Sequence, residues 1–159
     1  MARGAPFPEV RAPRRLLSRR SVFAGGSAAL LVAGLLSARR ASGDTRGPLS
    51  VQEAHQGARS GALTLVDIRQ PDEWAATGLG EGAIPLDMRD PAFAAKLRAM
   101  VSGMDAPIAL ICASGGRSRW LSRRLREAGF THVMDVPEGM SGTAAGSGWL
   151  ASGLPVVRP

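Results

Sequence analysis

After residue 44 the chain alternates short apolar runs with amphipathic stretches, at the spacing of strands and helices. Leu63-Thr-Leu-Val-Asp67 and Pro107-Ile-Ala-Leu-Ile-Cys112 are apolar runs of strand length, buried on both faces. Ala83-Ile-Pro-Leu86 is a brief third run whose proline assigns it to a sheet edge, and His132-Val-Met-Asp-Val136 is the last. Between them lie helix signals. Ser50-Val-Gln-Glu53 is a capping box that starts a short helix to about Arg59, with Gly61 as its stop. Pro71-Asp-Glu-Trp74 puts proline at a first helical position with acids in the first turn. Gly78, Gly80 and Gly82 then break the chain, Asp90-Pro91 opens a helix through about Val101, and a further helix runs from Ser118 to Ala128 before Gly129. Strands alternating with helices predict an α/β fold of three layers, a mainly parallel central sheet with helices on both faces. In such sheets the site lies beyond the carboxyl ends of the strands.

The first 43 residues have another pattern. An arginine-rich start precedes an uncharged apolar stretch, Val22 to Ser37, and then small residues, which is the order of an export signal. At 16 residues, with Gly25, Gly26 and Gly34 inside it, the stretch is short of the roughly 20 apolar residues of a membrane span. It is apolar all round and precedes a shift in composition, which argues against a helix of the fold. Ser18-Arg19-Arg20-Ser21-Val22-Phe23 resembles the twin-arginine export motif, with Val22 where phenylalanine is usual, and Arg14-Arg15-Leu16-Leu17 is a poorer second pair. The expected division is therefore a leader over 1–43 and a domain over 44–159, exported to a bacterial periplasm. Ala41-Ser42-Gly43 offers a cleavage site, but Arg39 and Arg40 intervene, so a leader left uncleaved as a membrane anchor stays open.

Charge changes the picture only after this division. The net charge of +7 lies wholly in residues 1–43, where eight arginines face Glu9, while residues 44–159 carry 12 basic and 12 acidic side chains. A neutral domain has no general affinity for nucleic acid, so that class of partner is not expected. The single cysteine excludes an internal disulfide, leaving stability to the core. His55 and His132 lack metal-ligand spacing and the six methionines are scattered, so neither metal nor cofactor is expected. Trp74, Trp149 and Phe130 read as core. Arg119, Arg123, Arg124 and Arg126 read as a solvated helix face, with the steering of anions as the alternative.

Cys112 is the candidate nucleophile. A lone cysteine ending an apolar strand is commonly an inert buried residue. The segment after it, Ala113-Ser-Gly-Gly-Arg117-Ser118, is more than a merely structural strand end needs. A tight loop of this kind turns backbone N–H groups toward the sulfur, and the helix beyond it points its positive end there. Both favour thiolate chemistry. Arg117 is a candidate clamp for an oxyanion because its planar fork fits such groups, and the amides of Ser114, Gly115, Gly116 and Arg117, with Ser118 beside them, are candidates to hold a bound anion.

Taken together, Leu65-Val-Asp67-Ile-Arg69-Gln-Pro71-Asp-Glu73-Trp74, Gly82-Ala-Ile-Pro85-Leu, the Cys112–Ser118 loop, Glu138-Gly-Met140 and Gly148-Trp149-Leu-Ala-Ser-Gly153-Leu-Pro155-Val resemble a single rhodanese domain running from about Leu49 to Val157. The resemblance implies that Cys112 accepts a sulfane sulfur as a persulfide. It also implies a six-residue loop, Cys112 to Arg117, of sulfurtransferase length, where the related phosphatases and arsenate reductases have seven. Asp67 and Arg69 are expected to form an ion pair that supports the loop, or simply the fold. The stretch from Trp74 to Ala83 is irregular where relatives often carry a histidine, and Trp120 stands where smaller residues are common. The implied activity moves sulfur from thiosulfate or a similar small anionic donor to a thiophilic acceptor, a protein acceptor included. The rival readings are a binding module without catalysis and a persulfide carrier for a partner.

Overall fold

A computed structural model describes residues 47–158; the leader expected over 1–43 lies outside the described residues. Helix α1 (Val51–Ser60) opens the fold on its capping box: the Glu53 N–H donates to Ser50 Oγ at 3.3 Å and the Ser50 N–H to Glu53 Oε2 at 2.9 Å. Next come β1 (Thr64–Asp67), α2 (Pro71–Thr77), β2 (Leu79–Gly80), β3 (Ala83–Pro85), α3 (Phe93–Met100), β4 (Ile108–Ile111), α4 (Gly116–Glu127), β5 (Val133–Asp135), α5 (Gly148–Ala151) and β6 (Val156–Val157).

The central sheet has four strands in the order β3-β1-β4-β5, every neighbouring pair parallel. Strand β4 lies inside it, with Thr64 opposite Ile108 and Asp67 opposite Ile111 on one side and Ile108 opposite Val133 on the other. All four β4 residues are buried, as an unbroken apolar run requires when both faces are covered. The pleat divides them. Val66, Ile68, Ile108, Leu110 and Cys112 face α3 and α4 through Leu97, Leu121 and Leu125. Leu65, Ala109 and Ile111 face α1 and α5 through Val51, Ala54 and Trp149. These two apolar clusters make the three layers, and β3 sits at the edge, as its proline predicted.

The structure departs from these expectations in four places. Helix α4 begins at Gly116, two residues before the expected Ser118, because Gly115 serves as its N-cap in the left-handed region (φ 72°). Helix α3 begins at Phe93 and not at Asp90, whose side chain instead accepts the Ala92 N–H at 2.7 Å in a turn before the helix. Strand β5 is not the last: β6 pairs antiparallel with β2 in a separate ribbon, Leu79 opposite Val157. Trp149 and Phe130 are core, but Trp74 is only half-buried, and its indole N–H is buried without an acceptor among the described residues. No helix among the described residues is long and apolar enough to cross a membrane.

Candidate active site

Cys112 comes directly after the last residue of β4 and is 1% exposed, at the carboxyl end of an interior strand. The loop it begins is held by backbone. The Met140 N–H donates to the Cys112 carbonyl at 2.8 Å, and the Ser141 N–H to the Ala113 carbonyl at 2.9 Å. This contact is close enough to demand glycine on both sides. A Cβ on Gly139 (φ 63°) would lie 2.4 Å from the Ala113 oxygen, and one on Gly115 would lie 2.2 Å from the Pro137 oxygen. Glu138 anchors the same turn to α1, accepting the Val51 N–H at 3.4 Å.

Around the sulfur the sequence-predicted residues come together. Ser118 is fully buried; the Cys112 thiol donates to its Oγ at 3.6 Å, and that hydroxyl donates to the Gly115 carbonyl at 3.1 Å. Gly116, Arg117 and Ser118 are the first three residues of α4, whose amides have no intrahelical acceptor, and Gly115 brings no capping side chain. Such an uncapped terminus attracts anions. Ser114 and Gly116 are exposed beside it.

Arg117 is positioned by Glu73, a residue to which the sequence alone assigned no role. Arg117 Nη1 donates to Glu73 Oε2 and its Nη2 to Glu73 Oε1, each at 2.7 Å, a fork-to-fork pair. Glu73 Oε2 also accepts the Gln70 N–H at 3.0 Å, closing a capping box at the start of α2. The Arg117 guanidinium holds the Glu73 carboxyl below its usual 4.5, against the opposing effect of burial, with the Gln70 bond adding to the shift. Arg117 is correspondingly raised, first by Glu73 and further by the nearby Cys112 sulfur. The guanidinium is thus held by Glu73 on the side of the loop that carries Cys112. An incoming oxyanion must use its remaining N–H groups or displace Glu73.

Asp67 and Arg69 do pair, at 2.7 Å and almost without exposure (0% and 2%). Their bonds run to α2 and not to the loop. Arg69 Nη2 donates to the Gly78 carbonyl at 2.7 Å and Nη1 to Thr77 Oγ1 at 2.8 Å, so the pair ties the end of β1 to the helix that carries Glu73. Arg69 Nη1 also donates to the Glu73 carbonyl at 3.4 Å. His55 lies elsewhere, 2.8 Å from Glu81 and edge-on to Trp149. Trp120 is 48% exposed, with the Arg124 guanidinium 5.7 Å from its ring centre. Among the described residues no three His, Cys, Asp or Glu side chains converge to hold a metal.

A buried thiol at a strand end, clasped by glycine turns and faced by a paired arginine, defines a class that comparison identifies directly. Residues 50–145 match the rhodanese-like domain, and the chain belongs to that family. It is 30% identical over 97 residues to a sulfurtransferase of Allochromatium vinosum, a match that covers 61% of this chain and 80% of that protein. The crystal structure of Rv0390 from M. tuberculosis superposes with a TM-score of 0.58 at 26% identity, over 71% of this chain and 98% of that one. The fold is also shared with the polysulfide-sulfur transferase homodimer of Wolinella succinogenes, with a TM-score of 0.56 at 24% identity over 71% of this chain and 79% of that one.

Proposed function

We propose that the domain is a sulfurtransferase that carries a sulfane sulfur on Cys112. The observation that carries this reading is the placement of the chain's one thiol beneath an uncapped helix terminus, with Arg117 fixed beside it. A binding module has no use for that arrangement. With thiosulfate as donor, the Cys112 thiolate attacks the outer sulfur, a new S–S bond forms, and the S–S bond within the donor breaks. Its electron pair leaves with sulfite, a dianion, and the persulfide keeps the single negative charge. An acceptor nucleophile then takes the outer sulfur and returns the electron pair to Cys112. Arg117 and the first amides of α4 oppose the charge that builds on sulfite and on the persulfide. The name of one fold relative, the polysulfide-sulfur transferase of Wolinella succinogenes, makes polysulfide a second donor to test. The test is to incubate the purified chain with thiosulfate, polysulfide and a mercaptan donor and compare persulfide yields. Turnover with a small acceptor then separates an enzyme from a carrier that serves a partner protein.

The proposal places this chemistry outside the cytoplasm, through the leader. Replacing Arg19 and Arg20 by lysine keeps charge but removes the guanidinium forks, and cell fractionation should then show export lost. Unchanged export would assign the leader to the general route.

A further inference from the structure

Charge is balanced over residues 44–159 but not evenly spread. Five of the 12 basic residues in that range, Arg117, Arg119, Arg123, Arg124 and Arg126, lie on α4 against one acid, Glu127. Elsewhere near the loop each guanidinium is answered by a carboxylate: Arg69 by Asp67 and Arg117 by Glu73 at 2.7 Å, Arg89 by Asp87 at 2.6 Å. Arg126 is tied back to the Val133 carbonyl at 2.6 Å. The outer arginines of α4 differ. Arg119, 67% exposed, comes no closer than 3.9 Å to Asp135, and Arg123 is exposed without a partner among the described residues. Arg124 divides itself between Glu127 at 3.1 Å and the Trp120 ring.

Helical spacing sets Arg119 with Arg123 and Trp120 with Arg124 in two adjacent rows, starting in the turn that leaves the Cys112 loop. Tryptophan and arginine are the residues that most often anchor protein interfaces. A solvated face needs no such tryptophan, and one cysteine leaves the persulfide no acceptor within the chain. We propose that this face of α4 docks a protein acceptor of the sulfur, one whose thiol is set among acidic side chains. The proposal rests on the sulfurtransferase reading. In the transfer, the Cys112 persulfide anion takes up a proton from water and the acceptor thiolate attacks its outer sulfur. The bond to Cys112 Sγ breaks, its electron pair stays on Cys112 as thiolate, and the proton leaves with the new persulfide.

The experiment loads the full chain with polysulfide, verifies the added sulfur by intact mass, and offers three acceptors. Two are short peptides with a central cysteine, flanked in one by aspartate and glutamate and in the other by asparagine and glutamine; the third is 2-mercaptoethanol. The acidic peptide should take sulfur about tenfold faster than its amide counterpart at low salt, with the advantage shrinking in about 0.5 M salt. The double variant R119E/R123E should remove that advantage, and Trp120→Ala should slow both peptides. Neither should change the rate with 2-mercaptoethanol. Equal rates for the two peptides, or a preference that survives charge reversal, would overturn the docking surface alone. No sulfur on Cys112 before any peptide is added would overturn the sulfurtransferase reading as well.

Discussion

Two arginine–carboxylate pairs meet α2, alike in chemistry and different in depth. Asp67–Arg69 is sealed in the fold, with exposures of 0% and 2%, and its spare donors reach the Thr77 hydroxyl and the Gly78 carbonyl. Glu73–Arg117 is open to water, at 26% and 32%, and stands beside the sulfur. The depth decides the role. A buried pair cannot exchange partners, because either ion left alone would be stranded without solvent. A pair at the mouth is screened, contributes little to stability, and can trade one anion for another. The first builds the platform from which α2 presents Glu73. On the proposed function, the second is where an anionic donor competes for the guanidinium.

The largest effect should come from breaking the buried pair. Arg69→Ala strands the Asp67 carboxylate and releases α2 from β1, at a cost of about 3–5 kcal/mol in stability, readable by urea or thermal unfolding. A loss below about 1 kcal/mol would erase the distinction between the two pairs. Next comes Arg117→Ala, which should weaken thiosulfate use roughly 10- to 150-fold through the loss of a charge-assisted contact of about 1.5–3 kcal/mol. Reaction of Cys112 with a neutral alkylating agent should change far less. Equal losses toward both would mean that Arg117 organises the loop and does not meet the donor.

The smallest effect should be that of Glu73→Gln on stability, under about 1 kcal/mol at neutral pH because water screens the pair. Its pH dependence has a definite sign. The folded carboxyl titrates below its usual 4.5, so the pair's contribution is complete above the unfolded value and is lost as the pH falls through the lowered folded one. Wild type and Glu73→Gln should therefore differ in melting temperature near neutrality and converge in acid. A gap that widened on acidification would contradict the pairing.

The same contrast shows which parts of the molecule could be read from sequence. Signals confined to a few residues were legible: the Ser50–Glu53 box, Pro71 at the start of α2, the edge proline Pro85, and the apolar run that delivers Cys112 to a strand exit. Features that depend on distant partners were not. Glu73 looked like a first-turn acid because Arg117 lies 44 positions away. Gly115 and Gly116 looked like loop, since only the approach of the Pro137 backbone shows why Gly115 caps α4. The β2–β6 ribbon pairs two-residue strands far apart in the chain, too short to leave a pattern. The arginines of α4 read as one face, and only the geometry separates Arg126, bonded to a strand carbonyl, from Arg119 and Arg123 in solvent.

The central claim is that Cys112 carries sulfur, and intact mass spectrometry of the full chain before and after exposure to thiosulfate or polysulfide tests it most directly. The wild type should gain one sulfur atom and Cys112→Ser none. With no second cysteine to attack it, the persulfide should persist until an acceptor thiol is added and then disappear. No added sulfur from any donor, or the same gain in Cys112→Ser, would contradict the account.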